Sequence, residues 1–379
     1  MGIRRLGAEP LPGRGVASRP CARAYNALVR RAGPPALSRL APRPRKAWAA
    51  GRLVAAALAV AQLAPAGAGS RAWAAEPPAP LPFQEPGGLQ RLFLQFPFEA
   101  PSVVAAGALQ GEVRLLYSNT IVANAGPAAS IEIDLETAQL TGFLRYGLAR
   151  GLELEVAVPV TVDYGGFLDG VIQSVEGLFH AVNPARQGRP NGLTRFRVAY
   201  QGAAAWVDGP NAGLGDVWVG VKGVIFEQSG GRPSLAVRGA LKLPTGHYPF
   251  GSGEPDAGAS LHVGWSFERF AARLEVDGAT PTAALRAAGI PTRPYGAVDL
   301  GIAFSATDAL ALHLQLSAST SPLRGTGLDE VDAGVRYLLL GLSARVSPSW
   351  EIELGLVENV FSPYRGADFA VLLGGRGGL

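Results

Sequence analysis

The residues best suited to chemistry are few and scattered. His180, His247, His262 and His313 show no metal-ligand spacing and join no Cys/His cluster, so no metal centre is expected. The only cysteine is Cys21, which leaves residues 76–379 without disulfide or thiolate chemistry. Ser252 has His247 and Asp256 nearby, the residue types of an acyl-transfer triad. Gly251-Ser252-Gly253 is nonetheless not a G-x-S-x-G elbow and follows no buried parallel strand. Gly213-Leu214-Gly215-Asp216 has the look of a phosphate loop, but such a loop needs a helix N-terminus behind it. Val217, Val219 and Val221 alternate there instead, as in a strand. No catalytic residue, metal or cofactor is assigned, and the chain is not read as an enzyme.

What remains is charge. Glu132, Asp134 and Glu136, with Glu153 and Glu155, fall on the polar faces of two alternating segments. Arg238, Lys242, Arg273 and Arg336 can answer them across a narrow interior, and Asp216 and Lys222 share a phase that suits an ion pair. A charge facing lipid at mid-membrane costs about 2–4 kcal/mol, so such residues belong inside a closed wall. There they form a lumen network that either holds the interior shut or selects solutes by charge at a constriction.

The elements that position these charges are strands. In 152–163 the even residues Leu152, Leu154, Val156, Val158, Val160 and Val162 are apolar, while the odd ones are polar or small. Leu310, Leu312, Leu314 and Leu316 oppose His313, Gln315 and Ser317 in the same way. Side chains of a strand alternate between two faces, so each segment has one greasy and one polar side. Strand segments are predicted at 111–121, 130–147, 152–163, 215–227, 233–244, 256–267, 270–279, 293–305, 309–320, 329–345, 350–359 and 368–375. Very short turns alternate with longer breaks, as periplasmic turns alternate with external loops in outer-membrane barrels. The count is an even twelve. The expected fold is all-β: a single antiparallel transmembrane β-barrel over 111–379, with one short helix in a long loop.

Two irregularities stand out. The apolar phase of 130–147 shifts from Ile131, Ile133 and Leu135 to Leu140, Leu144 and Tyr146, which predicts a β-bulge near Thr137–Gln139. In 335–345 both faces are apolar, which suggests contact with a plug or an interior neighbour. The break 164–214 holds Phe167, Leu168, Val171, Ile172, Val175, Leu178 and Phe179 at helical spacing. This helix is read as an inward gate or plug, the alternative being an external lid on the rim. Residues 76–110 read as a periplasmic lead-in or plug. Tyr117, Tyr146, Tyr164, Trp206, Trp218, Trp265, Tyr295, Tyr337 and Trp350 are candidate interface markers, with Trp218 inward by phase.

Composition agrees. Residues 1–75 carry 13 Lys and Arg against the single acid Glu9, so the remainder is acidic by 8 charges. The basic pI describes this leader, and a nucleic-acid partner is excluded as an inference from it. Arg43, Arg45, Lys46 and Arg52, the apolar run Leu53–Leu63 and Ala72-Trp73-Ala74 form a signal peptide with a cleavage site. Residues 1–42 read as a misassigned translation start. No later stretch reaches 18 apolar residues, which excludes a helical membrane protein.

Several motifs carry a resemblance. Gly213-Leu214-Gly215-Asp216 with Lys222, Lys242-Leu243-Pro244-Thr245-Gly246, and Gly251-Ser252-Gly253 before Asp256 resemble a bacterial family, domain of unknown function 3187. Asp169-Gly170, Phe179-His180, Arg189, Glu358-Asn359 and Asp368 fit it too, so the likeness covers roughly 110–375. Similar elements occur in phenol-degradation-type outer-membrane transporters. The resemblance implies a barrel in the cell outer membrane and assigns no substrate. Its expected partners are outer-membrane lipid, the barrel-assembly machinery and a small-molecule solute. The leading expectation is a channel or facilitator gated by 164–214. A closed structural or surface-interaction barrel and an outer-leaflet enzyme stand as alternatives.

Overall fold

The computed structural model describes residues 77–178, 183–347, 349–359, 361–362 and 365–379. The expected leader and cleavage site, Cys21, Phe179 and His180 lie outside the described residues. The strands are β1 (Leu109–Ala125), β2 (Ala129–Ala149), β3 (Leu152–Tyr164), β4 (Arg195–Tyr200), β5 (Ala203–Asp208), β6 (Asn211–Leu214), β7 (Trp218–Phe226) and β8 (Ser234–Lys242). They continue as β9 (Asp256–Phe267), β10 (Phe270–Pro281), β11 (Tyr295–Ser305), β12 (Leu310–Ser319), β13 (Val335–Ser347), β14 (Trp350–Glu358) and β15 (Phe369–Gly378). Two helices are α1 (Leu168–Leu178) and α2 (Asp329–Asp332).

Twelve of these strands close into an antiparallel ring. β1 pairs with β2, β2 with β3, β3 with β7, each later strand with the next, and β15 returns to β1. Closure leaves no edge in the ring for another chain to extend. β6 continues the line of β7 along the far end of β3, and the β4–β5 hairpin pairs with the far end of β2. Every expected strand has its counterpart, except that 329–334 begins as α2 and the strand starts at Val335.

The outer wall is inverted relative to a soluble protein. Leu312 and Leu314 are each 48% exposed, while their neighbours His313 and Gln315 are buried. Ile352, Leu354 and Leu356 repeat the pattern on β14. A contiguous apolar belt of this size is stable only against lipid. Its short-turn rim carries Trp265, Phe267, Phe270 and Phe304 in successive ring contact at 5.0–6.1 Å. At the long-loop rim Tyr117 lies against Tyr164 and Phe167. Tyr295 and Tyr337, expected at an interface, point inward with Trp218. The Tyr295 hydroxyl donates to Leu94 O, and the Tyr337 ring meets Phe83.

The expected bulge at Thr137–Gln139 is absent. β2 pairs with β1 in unbroken register from Tyr146 to Ser130, and its only shift against β3 lies between Gly147 and Ala149. The apolar phase changes because the surroundings change. β2 rises beyond the lipid, so its outward face passes from acyl chains to water and loop. Its inward face meanwhile passes from the polar lumen to an apolar lid, in which Ile131, Ile133 and Leu135 join Leu92, Phe93, Phe196, Leu285, Ile290, Leu323 and Val331.

Residues 77–108 thread the lumen. Leu81 exchanges two hydrogen bonds with the Gln315 side chain at 2.6 and 2.9 Å. The segment climbs to the lid at Leu89–Phe93 and descends past Phe96 and Glu99. It leaves through a parallel bridge between Ala106 and Gly147, directly before β1. This occupant explains the double apolar face of 335–345, where Tyr337 and Leu339 pack with Phe83 on the inner side.

Candidate functional site

The inward polar positions of adjacent strands assemble into an ion-pair layer in the short-turn half of the lumen. Strand register brings Glu153 opposite Lys222, Glu155 opposite Arg145, and Lys222 opposite Arg238. Glu99 enters from the threaded segment and meets Arg145 at 2.5 Å, Lys222 at 2.9 Å and Arg238 at 3.3 Å. Lys222 also pairs with Glu153 at 2.7 Å, Arg238 with Glu275 at 2.5 Å, and Arg145 with Glu112 at 2.7 Å. His262 completes the layer between Glu275 and the Ser260 hydroxyl. Glu99, Glu153 and Glu155 place carboxylate oxygens within 4.8 Å of one another. Arg145, Lys222 and Arg238 already stand where a metal ion would, so the chemistry is ion pairing.

A second node unites the motif residues. Asp216 accepts from Lys242 Nζ at 2.5 Å, Gly246 N at 2.8 Å and Ser252 N at 3.2 Å. Lys242 Nζ also donates to Ser252 Oγ at 2.8 Å. Ser252 therefore belongs to a structural clasp joining the 243–255 loop to the break between β6 and β7. The backbones there approach so closely that a Cβ on Gly246 would lie 2.8 Å from Gly215 C. Asp256 Oδ2 ties the threaded segment to this clasp by accepting from Leu94 N at 2.8 Å.

Several expected lumen residues fall elsewhere. Asp216 pairs with Lys242, not with Lys222. Glu132, Asp134 and Glu136 stand outside the wall, because the unbroken register sets them beside the outward Ala123, Ile121 and Asn119. Glu132 there meets Arg189, Arg195 and Arg197 at 2.7–3.2 Å, and Glu136 binds Leu168 N and the Tyr117 hydroxyl. Arg336 is exposed on the outward phase of β13. Arg273 does face inward, near the short-turn end, donating to Ser266 Oγ and two backbone carbonyls.

The helix expected as an inward gate lies on the outer wall. In α1, Asp169 accepts from Asn119 at 3.0 Å and from Arg186 at 2.8 Å, anchoring the loop to the outward face of β1. Leu168 is buried there, Phe167 stacks on Tyr117, Val171 is exposed and Ile172 half-buried, while Val175 and Leu178 fall later on the helix. Pattern reading missed the contributors Glu99, Glu112, Arg114, Arg145 and Glu275. Arg145 shares the odd, inward phase of Phe143, a signal obscured by the assumed bulge. Glu99 sits in a segment with no period at all.

Between the ion-pair layer and the lid, two cavities of about 60 and 40 Å³ flank the threaded segment. The larger lies toward β10–β13, the smaller toward the clasp.

The COG4313 outer membrane channel from Pseudomonas putida F1 has a similar fold, with a TM-score of 0.50 at 16% identity, covering 73% of this chain and 97% of that one. The NanC porin aligns over 71% of this chain and 100% of its own, with a TM-score of 0.41 at 8% identity. The Pseudomonas putida toluene transporter TodX gives 0.35 at 10% identity, covering 73% and 91%. No curated protein matches the sequence. The closed ring and its lipid-facing belt make the chain an outer-membrane β-barrel. The model of a protein family of unknown function, DUF3187, matches residues 70–378, and the chain belongs to that family.

Proposed function

We propose that the protein is an outer-membrane channel for small solutes, shut in this state by its own residues 77–108. The observation that carries the reading is a lumen filled by a threaded segment with a cavity on each side. A barrel that had only to be stable could fill a lumen of this size with wall side chains. A separate chain segment can shift. The similar fold of a protein named as an outer membrane channel supports the reading. The gate is the threaded segment with its apolar lid, since α1 lies on the outer wall.

The ion-pair layer favours a second reading, a barrel closed permanently for a structural role, because withdrawing Glu99 would take one carboxylate partner from each of three buried cations. Cysteines at Leu81 and Gln315, joined by a short thiol cross-linker, separate the two. Uptake of small neutral sugars into proteoliposomes is expected before cross-linking and lost after it, returning on cleavage of the linker. If no solute passes in either state, the permanently closed reading replaces the channel.

A further inference from the structure

The ionisable side chains of the larger lumen cavity are acids and tyrosines, with no basic group among them. Glu85, Asp277 and Asp299 line it, and no Lys, Arg or His does among the described residues. Glu275, directly opposite Asp299 in the ladder, holds both Arg238 and His262. None of the three cavity carboxylates pairs with a base among the described residues. Glu85 is 7% exposed, and its Oε1 accepts from Gly87 N at 3.0 Å and Ala367 N at 3.1 Å. Its Oε2 is buried without a hydrogen-bond partner, as is Asp277 Oδ1. Buried carboxylates are ordinarily paired, so these oxygens have a place for a cation that the wall does not supply.

The rest of the lining says which kind. Phe83, Phe96, Tyr295 and Tyr337 border the same space. Aromatic faces attract a cation whose charge is spread over carbon, and they bury its apolar body. A hydrated metal ion gains little from such walls. The smaller cavity differs, because its cations Arg91 and Lys242 are already held by Asp163 and Asp216. We infer that the larger cavity binds an organic monocation, an ammonium bearing an aromatic or aliphatic body, and that the channel prefers such solutes.

This rests on the channel reading for its role and on the cavity alone for its binding. The test titrates the full-length protein in detergent with benzyltrimethylammonium, benzyl alcohol and benzoate, by calorimetry. Only the cation is expected to bind well, with affinity more than tenfold lower in the Glu85→Gln/Asp299→Asn double variant and largely retained in Asp299→Glu. Asp277→Asn gives an independent loss should the double variant not fold. Equal binding of benzyl alcohol, an unchanged affinity in folded variants, or no binding of the cation overturns the inference. Proteoliposome flux separates it from the channel reading. Sugar uptake without cation binding removes the inference and leaves the channel. Cation binding without any flux removes the channel and leaves the site.

Discussion

Glu85 lies on the threaded segment just before the lid, held against the long β14–β15 loop by Ala367 N. Burial pushes its carboxyl up to about 7, against the Tyr337 hydroxyl and the backbone N–H groups of Ala367 and Gly87. A folded pKa above the unfolded value means that the native state holds the proton more tightly. The stability this confers is present in full below about 4.5 and is lost as pH rises through 7. Thermal unfolding of the wild type and Glu85→Gln should therefore diverge between pH 5 and 8, with the variant gaining on the order of 3 kcal/mol relative to wild type. A difference that stays flat with pH would remove this assignment. Lys222 behaves differently, because three carboxylates surround it. Lys222→Met leaves Glu153 buried without an ion partner and should cost about 3–5 kcal/mol in urea unfolding from lipid vesicles. Arg336→Gln, on the outward phase, should stay within about 0.5 kcal/mol. Similar losses in the two would mean that the strand phases are wrong.

A strand read in isolation reports its neighbours as well as its own geometry, and β2 illustrates this. Its alternation identified the element and both its ends to within two residues, since side chains at mid-membrane obey a single rule. Above the lipid that rule inverts, so Glu132, Asp134 and Glu136 share the face of Leu144 and Tyr146, and a straight strand mimics a bulged one. The α1 helix was legible for the same reason and misplaced for another: spacing reveals that a face is apolar, not which surface covers it. The lumen charges Glu153, Glu155, Lys222, Arg238 and Lys242 were legible from phase. Their pairing was not, because strand register sets which charges meet and Glu99 arrives from a segment without periodicity. The outer placement of α1 has a direct consequence. Asp169→Ala removes the side chain that binds Asn119, Arg186 and Gly192 N. Hydrogen exchange should then rise across 165–178 and 183–192 while β1 and β2 stay protected and solute uptake is unchanged. Altered uptake would return the helix to the lumen.

At the scale of the whole molecule, one solvent boundary organises everything else: apolar side chains face out because acyl chains are there, and charges face in because water or a partner is. The barrel should therefore respond to a new charge according to depth rather than local packing. Leu310 and Leu314 lie on the same face of β12, at 36% and 48% exposure, the first beside the short turn and the second four residues deeper. In a water-soluble sandwich, Arg at either exposed position would be nearly neutral, since the guanidinium would reach water from both. In a bilayer, Leu314→Arg should cost about 2–4 kcal/mol, and Leu310→Arg about 0–1 kcal/mol because its head reaches the interface. Urea titrations of both variants in phosphatidylcholine vesicles measure the difference, with the same proteins in detergent micelles as reference. The gap should narrow in micelles, whose thin, deformable apolar layer lets the deeper charge find water. Equal small costs in vesicles would place the belt outside lipid, and the channel reading would then lose the membrane it depends on.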